Sequence, residues 1–556
     1  MKTIKLIKDL YKMKKLIISL IILSAYSISY SQWVSNYSSN SGDVNFSTSK
    51  GNAVVCEGNF SYVTGYTQET GTGNDIVTIK YNSQGDTVWV RSYNGSANSD
   101  DEGLGLCVDN NDNIYVVGYA QYTGKSKDAV ILKYSKNGVL LWVRPFSVSS
   151  NAVNDKGVAI AIDKREDLYV TGYTTGNDGN TDIFIRKFDQ AGNVLWTALE
   201  DGTTNLNAEG TAITVDEDRN VYVCGFVTES GTNTDIAVLK YNKNGDQRWM
   251  KTINGNVNQS DKAWGIVVDE NDNIYITGYV TTSAGTTDTY TARLSPSGNI
   301  IWSDTFNGNG NQSDKAWGIV VDEDRSVFVT GETESADLNS NYLTIKYNRQ
   351  GDISWYKTYN GPGSGEDKSA SISLFRNSIV ITGKSWGSTS TFDYATIQYK
   401  KNNGNQLEVN RYSIADNSND LAKDVATKGA TIVVTGFSEL IMDNQESNTY
   451  ISTVSLNWGS VLESDSEIPS GFSLSQNYPN PFNPSTSISF DLAADSEVKL
   501  AIYDVLGKEV SVLVNQHLEA GTHNISFNAG NLSSGIYFYR LEAGNFNDIK
   551  KMTLVK

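Results

Sequence analysis

The chain has 556 residues, a formal net charge of −18 and 39% hydrophobic residues, enough for packed cores and too few for a multi-spanning membrane protein. No basic stripe offsets that negative charge, so nucleic acid is excluded as a partner. The only histidines are His517 and His523, so residues 32–470 carry no imidazole, which excludes Ser–His–Asp or Cys–His catalysis and most zinc sites there.

The N-terminus reads as an address. Lys2, Lys5, Lys8, Lys12, Lys14 and Lys15 precede the apolar run Leu16–Ala25, and Ser29 and Ser31 stand three and one positions before Gln32. A basic segment, a short apolar core and a small-x-small site predict a signal peptide over 1–31, cut between Ser31 and Gln32 after engaging the Sec machinery. Met13 would begin a signal of more ordinary length.

Residues 32–458 are a repeat. The segment N-I-Y-V-V-G-Y at Asn113–Tyr119 returns with its glycine at Gly65, Gly118, Gly172, Gly225, Gly278, Gly331, Gly383 and Gly436, at spacings of 52 to 54 residues. Each unit of about 53 residues holds four strand-like segments with turn residues between them, which predicts one propeller blade. In the fifth unit these are Ala263–Val268, Ile274–Tyr279, Tyr290–Leu294 and Ile300–Phe306; the first is apolar on both faces and expected to be buried on both. The chain opens on Trp33–Tyr37, which matches a fourth strand, and its eighth unit stops after a third strand, Tyr450–Leu456. The orphan strand would complete that unit and leave no open edge. The expected fold is therefore all-β, an eight-bladed β-propeller, or seven-bladed if an irregular end unit is not a blade.

Two resemblances attach to these residues. The pattern V-D-x-x-x-N-I-Y-V-T-G-Y is similar to the SBBP-type bacterial beta-propeller repeat of secreted proteins. The hairpin Y-N-S-Q-G-D-T-V-W at Tyr81–Trp89, repeated at Trp142, Trp196, Trp249, Trp302 and Trp355, resembles the tryptophan-docking hairpin of eight-bladed quinoprotein propellers, which implies a Trp packed between neighbouring blades. The seventh unit reads Leu407 in that place.

Chemistry-bearing motifs are sparse. The turns Asp109–Asn113, Asp216–Asn220 and Asp269–Asn273 mimic the first half of a calcium loop without its later Glu or central Gly, so calcium is the one cofactor they suggest, against a plain turn. No other cofactor is expected, and no catalytic residue stands out. Cys56, Cys107 and Cys224 are too few and too far apart for a disulfide framework and read as small buried thiols. Asp101, Asp155, Asp261, Asp314, Asp367 and Asp420 open the first strands, and Trp264 and Trp317 follow three residues after two of them. Asp261, Trp264, Asp314 and Trp317 are the candidate ligand-binding residues, at a channel mouth facing the longer loops; the bland alternative is that the Asp satisfy turns and the Trp fill space.

Residues 459–470 form a small, acidic linker. Residues 471–556 are predicted to be a small β-sandwich. Its motifs are Y-P-N-P-F-N-P-S-T (Tyr478, Pro479, Asn480, Pro481, Phe482 and onward), L-A-I-Y-D-V-L-G-K-E-V (with Gly507 and Lys508), L-S-S-G-I-Y-F-Y-R-L (with Gly535 and Tyr537) and the terminal K-M-T-L-V-K (Lys551 to Lys556). In that order they closely resemble the type A sorting domain of the type IX secretion system. The resemblance implies passage through the outer-membrane translocon, removal by its sorting protease, and release or attachment to a surface lipopolysaccharide. The expected function is a binding or structural surface protein with an unidentified glycan or protein ligand, the alternative a carbohydrate-active hydrolase or lyase at the channel mouth.

Overall fold

The structure, a computed structural model, describes residues 33–39, 48–458 and 471–555, less residues 70, 148–153, 177–178, 202–205, 230–232, 364, 389–390, 442–446, 457, 478–479, 519–520 and 531. The expected signal peptide and its Ser31–Gln32 site, the linker, Tyr478, Pro479 and Lys556 lie outside these residues. The chain divides into two compact units, one ending at Trp458 and the other starting at Gly459.

The first unit is an eight-bladed β-propeller. Seven blades are four-stranded antiparallel sheets laid out in chain order; blade 5, for example, runs Lys262–Val268, Ile274–Thr281, Thr287–Leu294 and Ile300–Phe306. Blade 8 takes Ser418–Lys428, Thr431–Ile441 and Ser447–Leu456 and is completed by Trp33–Tyr37, paired from Trp33↔Ser455 to Tyr37↔Ile451. The cores lie between blades. Eight hydrophobic clusters each draw from two neighbouring blades, and the cluster holding Trp33, Val63, Val433 and Ile451 joins blade 8 to blade 1. Eight interfaces for eight blades is a closed ring.

The repeated glycine has a steric cause. Every inner strand carries a β-bulge just opposite it, as between Ala263 and Gly265, where Trp264 is the extra residue. The bulge pushes the carbonyl of the preceding residue toward the second strand. A Cβ on Gly278 would fall inside contact distance of the Lys262 oxygen, and one on Gly118 would meet the Glu102 oxygen in the same way. Only glycine fits there. The bulge also leaves the inner strand less covered than its apolar sequence predicts: Trp264, Val267 and Val268 are half-buried at the inner rim.

The tryptophans explain how blades are joined. Trp89 of blade 1 lies against Gly138 of blade 2, which sits at φ 77° in the third-to-fourth turn. Its Nε1–H donates to the Lys136 carbonyl at 3.1 Å, and Lys80 Nζ donates to the same oxygen at 3.0 Å. Trp142 with Lys133, Trp196 with Lys187, Trp249 with Lys240 and Trp302 with Arg293 repeat this pair on the carbonyls of Gln190, Lys243, Pro296 and Arg349. Trp33 docks on Gly85 and on Tyr81, 5.4 Å between ring centroids. Blade 7 departs from the pattern, and the register places Glu408, not Leu407, at the Trp position, opposite Gln398. Blade 8 has no third-to-fourth turn, because its fourth strand comes from the other end of the chain. A Trp and a Lys on blade 7 would have no carbonyl to share, and both are absent.

The second unit has two antiparallel sheets, Ser473–Leu474, Ser485–Leu492 and Gly521–Asn528 in one, Glu509–Leu518, Ser496–Tyr503, Gly535–Ala543 and Phe546–Leu554 in the other. Ile488, Phe490 and Phe527 of the first share a core with Leu500, Ile502, Tyr539, Leu541 and Met552 of the second. This is the sandwich expected from the alternation, with one short leading strand that the sequence pattern missed.

Candidate functional site

In each blade the inner strand starts, and the second strand ends, on the face that carries the second-to-third loops. The Asp residues that open the inner strands are buried there. Asp261 accepts the Gly255 N–H at 2.5 Å and the Thr281 N–H at 2.7 Å, and Asp314 accepts that of Gly308 at 2.7 Å. Asp101 and Asp367 make the matching pairs. Asp101, Asp261 and Asp367 thus tie the chain entering a blade to the end of that blade's second strand. Burial raises the carboxyl pKa of Asp101, Asp261, Asp367 and Asp420, and raises Asp314 to about 6.

Trp264 and Trp317 are the bulge residues of blades 5 and 6. Their rings meet edge to face at 5.6 Å between centroids, and both are half-buried. The same bulge position holds Asn52, Leu104, Val158, Thr211, Ala370 and Lys423 in the other blades. The structure therefore brings the two Trp together at the inner rim, while Asp261 spends both oxygens, and Asp314 one, on backbone donors.

Above the Asp layer, a lysine of one blade lies over an aromatic ring of the blade before it. Lys156 is 5.3 Å from the Tyr119 centroid, Lys262 3.8 Å from Phe226, Lys315 5.6 Å from Tyr279 and Lys50 4.4 Å from Phe437. Between blades 2, 3 and 4 this layer opens into a cleft of about 430 Å³, lined among others by Tyr119, Lys127, Lys156, Tyr173 and Glu209. Lys127 stands where blades 3, 4 and 5 have Thr181, Thr234 and Thr287. Aligning third strands residue by residue would have found it.

The calcium-like turns are self-contained. Asp109 Oδ1 accepts the N–H groups of Asn111 and Asn113, and Oδ2 accepts Asn113 Nδ2 and the Tyr115 hydroxyl. Asp269 repeats this with Asn271, Asn273 and Tyr275. The fourth residue of the turn is left-handed, as at Asp112 (φ 61°) and Asp272 (φ 59°). The carboxylates do turn chemistry with their own backbone. Burial pushes the Cys56 and Cys224 thiols up to about 12, out of nucleophilic range.

In the second unit the proline-rich segment meets the last strand. Phe482 is buried, its N–H donates to the Thr553 carbonyl at 2.9 Å, and its carbonyl accepts the Val555 N–H at 3.0 Å. Asn480 Oδ1 accepts the Thr553 N–H at 2.9 Å. The Asn480–Pro481–Phe482 motif is thereby stitched to the strand bearing Lys551. Gly507 supplies φ 78° to the turn Asp504–Lys508, where Lys508 N–H donates to Asp504 Oδ1 at 3.0 Å. Gly535 opens its strand and Tyr537 donates to the Ser533 carbonyl at 2.9 Å.

The fold and this terminal unit define an exported propeller. Residues 476–555 match the family described as the secretion system C-terminal sorting domain. The second unit is a type IX sorting domain, and the chain is a β-propeller protein sent across the outer membrane to the cell surface or the medium. An uncharacterized WD repeat-containing protein of Acanthamoeba polyphaga mimivirus is 22% identical over 459 residues, covering 59% of this chain and 32% of that protein, so the chain spans about a third of that relative. Among solved structures, PorZ of Porphyromonas gingivalis, a surface component of the type-IX secretion system, aligns with a TM-score of 0.37 and 11% identity over 90% of this chain and 69% of that one. A Dyadobacter fermentans protein of unknown function aligns with a TM-score of 0.37 and 8% identity over 66% of this chain and 96% of its own. None of these likenesses assigns an activity.

Proposed function

We propose that the exported propeller is a binding module whose loop-bearing face takes a glycan or protein ligand, with Trp264 and Trp317 at its centre. The observation that carries this is the Trp pair itself. Two large half-exposed rings occupy bulge positions in only two of eight blades, a break in symmetry that ring closure does not require. Aromatic platforms of this kind stack on sugar faces or on apolar side chains. Sec export, the type IX translocon, its sorting protease and a surface lipopolysaccharide anchor are the delivery partners in this scheme, with Asn480, Phe482, Gly507, Lys508, Gly535, Tyr537 and Lys551 in the sorting determinants. The hydrolase alternative draws no support from Asp261, both of whose oxygens are engaged by backbone donors.

The test is a glycan and protein binding screen on the secreted protein beside a Trp264→Ala/Trp317→Ala variant. We expect the variant to lose about tenfold or more in affinity for the ligand found, roughly 1.4 kcal/mol, while remaining folded. Unchanged binding by a folded variant removes the Trp pair from the site.

A further inference from the structure

We propose that Asp424 makes the seam of the ring a proton-linked latch, one carboxyl holding blade 8 to both its neighbours with a grip that depends on its charge. Asp424 occupies the position just after the bulge of its inner strand. Blades 1 to 6 have Ala53, Gly105, Ala159, Ala212, Gly265 and Gly318 there, and only blades 7 and 8 have polar side chains, Ser371 and Asp424. This position faces the inner strand of the next blade. A Cβ on Gly265 would stand 2.9 Å from Ile319 Cγ2, and one on Gly318 would stand 2.9 Å from Ile372 Cγ2. Blade 1 meets Asp424 with Val54, where blades 3 to 7 have an isoleucine, and the shorter side chain leaves space for a carboxyl.

The contacts run both ways from blade 8. Asp424 Oδ2 accepts the Val54 N–H of blade 1 at 2.9 Å. Its Oδ1 accepts the Ser371 hydroxyl of blade 7 at 2.7 Å and the adjacent Val425 N–H at 2.9 Å. Two further ties flank it on the same strand: Thr427 shares a hydrogen bond of 2.9 Å with Ser373 of blade 7, and Lys428 meets Glu57 of blade 1 at 3.2 Å. One side chain thus spans both junctions of the blade that the two ends of the propeller build together.

A negative charge is poorly supported at this place. Among the described residues no Lys or Arg lies within 4.0 Å of the carboxyl. On its own strand Lys428 is taken by Glu57, Lys423 lies 5.8 Å from the Phe437 ring, and Asp420 is bonded to Ser413 and Ser418. The blade 1 strand brings Lys50, 4.4 Å from the same Phe437 ring, and Cys56, whose thiol burial and Asp424 together push up to about 12. The blade 7 strand starts with Asp367, bonded to backbone, and Lys368, paired with Glu332 and Glu366. Burial raises the Asp424 carboxyl to about 6 against the pull of its three hydrogen bonds. Folding therefore favours the protonated acid, and its share of stability is complete below about pH 4 and is lost as pH rises through 6. Both cross-blade bonds survive protonation, because the Ser371 hydroxyl accepts as readily as it donates and Oδ2 still takes the Val54 N–H. The seam is firmest in acid and loosens toward neutral pH.

Amide hydrogen exchange on the secreted full chain reads this seam directly, at the Val54 N–H. Corrected for the intrinsic exchange rate, its opening should increase about tenfold between pH 5 and pH 8, with a much smaller change at the second strand of blade 4. Asp424→Asn puts an amide donor where one acceptor oxygen stood, so it should open Val54 at every pH and remove the pH dependence. Ser371→Ala is a benign change, since Ala serves at the matching position in three blades. It removes a hydrogen bond that holds the carboxyl down and should move the increase to higher pH. If Asp424→Asn fails to fold, the displacement in Ser371→Ala decides alone. Val54 exchange that is flat with pH, or an increase left in place by either variant, overturns the latch.

Discussion

At Asp314 a single carboxyl shows what the ring costs to build. It is fully buried, holds the Gly308 N–H, and burial together with Asp288 and Glu334 lifts its pKa to about 6. A folded-state pKa above the ordinary 3.8 means the native form favours the protonated acid. Its stabilising share is complete below about pH 4 and is lost as pH rises through 6. Asp314→Asn keeps an oxygen for Gly308 and removes the titration. The variant should therefore gain on the parent as pH rises from 4 to 8, by about 3 kcal/mol for a shift of roughly two units. Parallel melting curves across that range would show that Asp314 does not titrate in this way. The residue scale is also where the sequence was most legible and least explained. The glycine every 53 residues marked the blades, but the bulge that forbids a Cβ there is a contact between strands and cannot be read along one of them.

Single strands carry the joints between blades. The alternation and turn residues gave all four strands of each blade and the orphan Trp33–Tyr37, because each strand is bounded locally. The missing Trp of blade 7 looked like decay of the pattern; it follows from closure, which leaves no turn in blade 8 to receive it. A pair of variants separates these ideas. Trp33→Ala removes a ring that is 9% exposed and packed on Tyr81 and Gly85, and should cost about 3 kcal/mol or more. Glu408→Trp adds a tryptophan where no neighbouring turn exists, and should leave the melting temperature nearly unchanged. A clear gain from Glu408→Trp, or no loss from Trp33→Ala, would contradict the docking scheme.

At the scale of the molecule, fold and function divide between the two units. Propeller and sandwich each close their own cores, so a chain ending at Ser470 should fold with the melting profile of the propeller. Without the sorting domain it should accumulate in the periplasm, and Gly471–Lys556 fused to an unrelated secreted reporter should carry that reporter to the surface of a type IX host. Cell fractionation decides this: surface display of the truncated chain would remove the second unit from the export route. The sequence revealed this division because the sorting motifs are contiguous. It did not reveal the ligand, because the loop-bearing face is assembled from short pieces of every repeat.

The pairing of Trp33–Tyr37 with the last strand sets an order of events. Seven blades are hairpins of neighbouring residues and can form as the chain emerges, but the eighth joins segments more than four hundred residues apart. The first strand of the propeller pairs with its last, and the entropic cost of that meeting grows only slowly with the distance spanned. Contacts of such long range slow folding, so we expect a propeller that has not yet paired Trp33–Tyr37 to carry one open strand edge on blade 8. We expect assembly to behave as a zipper with a clasp, in which the pairing of one five-residue strand closes the ring and any time spent unclasped is time during which two copies can exchange that strand.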